Sequence, residues 1–171
     1  VNTLPCSDGE RVTIRIVDPN VAPANLEAAG LSGPGLSQMR SWSRRPQGLI
    51  LVAGVGGRGK PSLLYALLRE LRVPKKAIVT VEDPISCKLS RISQVAARPE
   101  TGFGVAQAVA AAMQQACDIL MVDRLPDAET LERVCQAALG GRLVLSALAA
   151  ADAPSALAHL LHMGIEPYLV S

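Results

Sequence analysis

From residue 48 onward the chain alternates short apolar runs with longer amphipathic stretches. Residues 49–53, Leu-Ile-Leu-Val-Ala, form an unbroken apolar run between Gly48 and Gly54, the length of a buried strand. Residues 61–72 then repeat apolar positions at helical spacing. The same alternation recurs three times. A strand over 77–81 ends at Glu82-Asp83-Pro84, and an Ala-rich helix over 102–115 follows a loop of mixed composition. A strand over 119–122 ends at Asp123, and a helix over 128–139 has Asp127 as its N-cap and Gly140-Gly141 as its stop. A strand over 143–146 leads to a helix over 153–163, capped by Asp152 and ended by Gly164. Near-continuous apolar strands between helices predict a mostly parallel sheet covered on both faces. Ligands of such sheets bind at the carboxyl ends of the strands, where Gly54, Glu82, Asp123 and Ala147 fall. The first 47 residues are less regular. Residues 10–17 alternate as a half-buried strand, 18–35 read as a linker, and a short helix over 36–45 stops before Pro46.

The junction after the first apolar run carries the chemistry. Gly54-Val55-Gly56-Gly57-Arg58-Gly59-Lys60-Pro61 meets the pattern G-x-x-x-x-G-K-[ST] at every fixed position except the last. Strand, glycine loop and helix aim backbone N–H groups and a helix N-terminus at a phosphate. Gly54, Gly57, Arg58, Gly59, Lys60 and Ser62 are therefore the candidate nucleotide-binding residues, with Lys60 a point charge for the β- and γ-phosphates. Pro61 stands where a Ser or Thr hydroxyl would hold magnesium, and it lacks the backbone N–H as well. Proline is tolerated in a first helical turn, so the change is cheap for the fold and costly for the chemistry. Two readings stand for Asp123: four apolar residues followed by a magnesium-binding acid, or a loop acid paired with Arg124. Two also stand for Glu82: a strand-end general base, or a loop carboxylate beside Pro84.

Composition narrows the class. Of the 171 residues 49% are hydrophobic and 19% charged, which excludes a disordered chain. Aromatics are 2%, leaving almost no base-stacking surface, and the net charge of +2 does not point to nucleic acid. Cys6, Cys87, Cys117 and Cys135 form no C-x-x-C pair and suggest a reducing compartment. His159 and His162 share a helix with no further ligand type beside them. No apolar run reaches the roughly 18 residues needed to span a bilayer. The amino end begins without Met and reads as a cut end inside a longer protein.

With these elements placed, the chain resembles the type II secretion and type IV pilus assembly ATPases over nearly its whole length. Gly9-Glu10-Arg11-Val12 is similar to the end of that family's PAS-like N-terminal domain, and Arg44-Arg45-Pro46-Gln47-Gly48 to its approach to the Walker A loop. Thr80-Val81-Glu82-Asp83-Pro84 is similar to its Asp box, and Met163-Gly164-Ile165-Glu166-Pro167 to its later core. The resemblance implies an α/β fold with a RecA-like P-loop core over 36–171, preceded by a PAS-like remnant and linker over 1–35. It implies ATP and Mg2+ as cofactors, a homo-hexamer, inner-membrane secretion platform proteins as partners, and a cytoplasmic place at the inner membrane. It makes Glu82 the water-activating carboxylate.

The departures from the family's pattern fall on polar positions. Walker A loses its hydroxyl at Pro61. In Walker B a glycine becomes Asp123 and a glutamate becomes Arg124. In the His box the histidines become Arg142 and Ala149. The expectation is a secretion-type P-loop domain that binds ATP weakly, gains little from magnesium and hydrolyses slowly or not at all. The competing expectations are a working motor using Glu82 and Asp123, and an inactive fragment.

Overall fold

The computed structural model describes residues 2–14, 22–56 and 59–166. In chain order these form β1 (Asn2–Cys6), β2 (Gly9–Thr13), α1 (Gly33–Ser43), β3 (Gly48–Ala53), α2 (Gly59–Leu71), β4 (Ile78–Glu82), β5 (Ser93–Ala96), α3 (Val105–Met113), β6 (Ile119–Val122), α4 (Ala128–Leu139), β7 (Leu143–Leu148) and α5 (Ala153–His162). The central sheet has five strands in the order β3-β7-β6-β4-β5, and every pairing in it is parallel.

Burial explains the order. β4, β6 and β7 are mostly apolar and buried at every residue, as strands covered on both faces must be; their polar residues Thr80, Glu82 and Ser146 are buried with them. Successive side chains point to opposite faces, so each strand feeds two cores. Ile78, Ile119, Met121, Leu143 and Leu145 pack under α2 with Leu64, Leu67 and Leu68. Val79, Val81, Leu120, Val122 and Val144 pack against α3, α4 and α5 through Val109, Val134 and Leu160. The sheet is thus clad on both sides. Asp127 and Asp152 are the N-caps the sequence implied, accepting from Thr130 N at 2.7 Å and Ser155 N at 2.8 Å.

Three segments differ from the sequence reading. The half-buried strand expected over 10–17 is, in its described part, the second arm of an antiparallel hairpin, with Cys6 opposite Gly9. Leu4, Val12 and Ile14 are all exposed. Alternation reports a pleated strand, but burial needs a partner, and none covers these residues among those described. Within the loop expected between residues 84 and 100, β5 adds an edge strand beside β4. Its sequence, Ser-Gln-Val-Ala, is too short and mixed to carry a periodic signal.

The third difference lies in the expected linker, whose described part is anchored to the core at Leu26. Asn25 Oδ1 accepts from Ala28 N at 2.8 Å and closes a turn that buries Leu26 completely against the α2 side of the core. Arg40 of α1 donates to Glu70 of α2 through Nε at 3.0 Å and Nη2 at 2.8 Å, and to Glu27 at 2.8 Å. The Arg40 hydrogen bonds hold the Glu70 carboxyl below the usual range. Leu26→Ala is expected to destabilise the domain by about 2–5 kcal/mol, the cost of an emptied aliphatic site. A free linker would lose almost nothing, so the urea midpoint of the variant separates the two.

Candidate functional site

The carboxyl ends of β3, β7, β6 and β4 form one rim. Val52 lies opposite Ala147, Val122 opposite Ser146, and Val81 opposite Val122. One residue further along, Asp123 and Glu82 are neighbours on adjacent strands, and Asp123 N donates to Val81 O at 3.1 Å. Strand alternation sends Asp123 and Glu82 to the face that α2 covers. The glycine loop, the α2 N-terminus and both acids therefore share one corner, as the rim rule implied.

β3 ends at Ala53, and Gly54 N still pairs with Leu148 O at 3.2 Å. Gly56 has a φ of +78°, a turn that favours glycine. α2 begins at Gly59. Gly57 and Arg58 lie outside the described residues. Lys60 folds back over the loop and donates from Nζ to Gly54 O at 2.7 Å and Gly56 O at 2.6 Å. Two of its three ammonium protons thus close the turn from which a phosphate would be held. Pro61 sits in the first turn of α2, beside half-buried Ser62. Position 61 contributes no backbone N–H to that turn, because proline has none.

Asp123 is mostly enclosed. Its Oδ2 accepts from Asp83 N at 3.1 Å, while Oδ1 is buried without a hydrogen-bond partner. Burial pushes its carboxyl up to about 6, against the pull of the Asp83 N–H and Arg124. Arg124 makes its ion pair with Asp83 instead of with Asp123. An ionised carboxylate oxygen with no donor suits a cation or a cation-bound water. The absent hydroxyl at Pro61 does not. The donor set thus fits magnesium at one acid and fails it at the helix.

The raised carboxyl has a consequence for stability. Ionised Asp123 opposes folding, fully so above pH 6, and the penalty fades as pH falls from about 6 towards 3.8. In magnesium-free buffer Asp123→Asn is expected to be more stable than the parent by about 1–3 kcal/mol at pH 7.5, with the gap closing near pH 4. Paired denaturation curves across that range check it; a gap that widens at low pH is the opposite result.

Glu82 is 2% exposed and fully engaged. Oε2 accepts from the Tyr65 hydroxyl. Oε1 accepts from Thr80 Oγ1 at 2.6 Å and Gln94 Nε2 at 3.0 Å. Tyr65, Thr80 and Gln94 were not singled out from the sequence. The available signal was Tyr65, a phenol on the apolar face of α2 whose hydroxyl needs a buried partner.

Other expected residues lie apart. Arg142 precedes β7 and so stands at the opposite end of the sheet from Gly54, about 20 Å away at strand rise. It caps the end of α3 by donating to Met113 O at 2.9 Å. A histidine lost at 142 is therefore not a loss at the rim of this chain, whereas Ala149 directly follows β7 on the rim. His159 and His162 are exposed on α5, and no cluster of three metal-ligating side chains occurs among the described residues. No helix of the described residues is long and apolar enough to cross a membrane. A concavity of about 560 Å³ lies beside α4, Met163 and Ile165, away from the glycine loop.

The family described as type II/IV secretion system protein matches residues 1–171. The chain is 41% identical over 171 residues to type II secretion system protein E of Dickeya dadantii, covering all of this chain and 34% of that protein. It is 39% identical over 171 residues to the type IV pilus assembly ATPase TfpB of Acinetobacter baylyi, covering all of this chain and 29% of the relative. The chain thus spans about a third of the length of these relatives. Among solved structures, the Legionella pneumophila ATPase DotB superposes with a TM-score of 0.70 at 23% identity, covering 87% of this chain and 42% of that one. The pilus retraction motor PilT with bound ADP gives 0.69 at 22% identity, covering 94% of this chain and 45% of that one. These two likenesses speak to the fold.

Proposed function

The chain belongs to the type II/IV secretion system protein family, and on that premise we propose that it is a nucleotide-binding P-loop domain with a degraded catalytic site. It binds ATP weakly, gains little from magnesium, and hydrolyses slowly or not at all. Gly54, Gly57, Arg58, Gly59, Lys60 and Ser62 are the proposed nucleotide contacts. Asp123 is the proposed residue toward magnesium, which when bound would neutralise phosphate charge. The observation that carries the reading is Pro61 in the first turn of α2, where both a hydroxyl ligand and a backbone donor are missing. Arg124 paired with Asp83 supports it, because a cation stands where related motors are expected to place a carboxylate.

The relatives' names support a place in protein secretion or pilus assembly, and the proposal extends to the family's surroundings. The full protein would assemble as a homo-hexamer on the cytoplasmic side of the inner membrane against secretion platform proteins. The domain's part there would be structural or regulatory.

The test is ATP binding with and without magnesium, followed by phosphate release. Weak binding of similar strength in both buffers, without release, supports the proposal. One observation favours a working motor instead: the unpartnered Oδ1 of Asp123 could partly replace the lost metal ligand. Strong magnesium dependence with phosphate release that Glu82→Gln abolishes would select that reading.

A further inference from the structure

The Tyr65 hydroxyl is the centre of a buried network spanning four elements. It donates to Glu82 Oε2 of β4 and accepts from Ser86 N at 3.2 Å and Cys87 N at 3.1 Å, in the loop after β4. Gln94 of β5 closes the other side. Its Nε2 donates to Glu82 Oε1 at 3.0 Å and to Cys87 O at 2.8 Å, and its Oε1 accepts from Leu89 N at 2.7 Å. Thr80 supplies a third donor to Glu82 at 2.6 Å. Tyr65 itself is 4% exposed and sits on the apolar face of α2, the helix that opens at Lys60. Burial, then the hydrogen bond to Glu82, pushes its phenol up, so it remains a donor at any working pH.

A carboxylate acts as a general base only if a lone pair is turned toward the water it deprotonates. Glu82 directs both oxygens into the protein and takes three donors there. From this we infer that Tyr65 is a positioning residue. With Gln94 it holds Glu82 turned into the core, away from the nucleotide, and ties the loop after β4 to the P-loop helix. Glu82 is then a base held in reserve, whose release requires the Tyr65 bond to break. This deepens the proposed function and rests on it only for the nucleotide-dependent part of the test.

The experiment uses the chain carrying Pro61→Ser and Arg124→Glu, with magnesium ATP as the probe, and scores affinity and phosphate release separately. Adding Tyr65→Phe is expected to raise turnover about tenfold or more with affinity changed less than about twofold, and Glu82→Gln is expected to erase that gain. Unchanged or lower turnover in Tyr65→Phe overturns the inference. If the doubly substituted parent binds no ATP, the reading of the nucleotide site fails, and the lock is judged without ligand. Amide exchange at Ser86 and Cys87 in Tyr65→Phe is then expected to quicken about tenfold while the middle of α2 is unchanged; equal exchange overturns it. Should Tyr65→Phe fail to fold, Gln94→Met, which keeps the aromatic packing, is scored in the same way. A Glu82-dependent gain or faster exchange at Cys87 supports the lock, and neither overturns it.

Discussion

Pro61→Ser is expected to tighten ATP binding in magnesium by about 1.5–3 kcal/mol for each charge-assisted hydrogen bond regained, or roughly 10- to 150-fold for one. The serine restores a hydroxyl for the metal and an N–H for the phosphate cradle in the first turn of α2. Proline holds neither group, and the turn tolerates either residue, so the fold itself should barely respond. Isothermal titration with and without magnesium reads the effect. The gain should be larger with magnesium, because only the hydroxyl depends on the metal. An affinity that does not move would place the defect at the glycine loop, where Lys60 already closes on the Gly54 and Gly56 carbonyls.

Hydrolysis is expected to stay near background in Pro61→Ser and to recover only when Arg124→Glu is added. A regained metal ligand does not supply a carboxylate at position 124, and the parts of such a site act as a unit. Recovery in the double variant is expected to exceed either single change by about 100-fold, the usual size of a general acid–base contribution. The second substitution carries its own cost. Arg124 is paired with Asp83, so a glutamate there would face Asp83 with Asp123 and Glu82 close by. The double variant should therefore be less stable without magnesium and regain stability when the ion is added. Steady-state phosphate release, with melting curves taken in the same buffers, reads both. Clear turnover in the unmodified chain that Glu82→Gln abolishes would decide for the working motor.

The main architecture was legible because it is written in local patterns. Residues 119–122 and 143–145 are apolar without interruption, and such runs persist only where both faces are covered. Asp127 and Asp152 announce their helices one residue before they begin. The glycine loop needs no long-range information, since glycines, lysine and helix start are adjacent in the chain. Leu26 was not legible, because an isolated Leu in a Pro- and Ala-rich stretch has no period. Its burial depends on the apolar cluster around α2, with Glu70 accepting from Leu26 N and Arg40 linking Glu70 to Glu27. β5 was missed for a related reason: an edge strand of four residues is stabilised by β4 beside it, not by its own sequence.

The sequence alone determined which residues stand at the strand ends, that Pro61 interrupts the phosphate-binding motif, and that Arg124 follows Asp123. Those facts follow from order along the chain. Tertiary structure decided what each polar group does there. It paired Arg124 with Asp83, left one oxygen of Asp123 without a donor, set Arg142 against the end of α3, and turned Glu82 inward to Tyr65, Thr80 and Gln94. The reason is physical. A hydrophobic run settles its own fate by burial, whereas a polar side chain is settled by whichever partner the fold brings within hydrogen-bond reach. For Glu82 two of its three partners, Tyr65 and Gln94, lie 17 and 12 residues away in sequence, on a helix and a strand whose meeting no local pattern encodes.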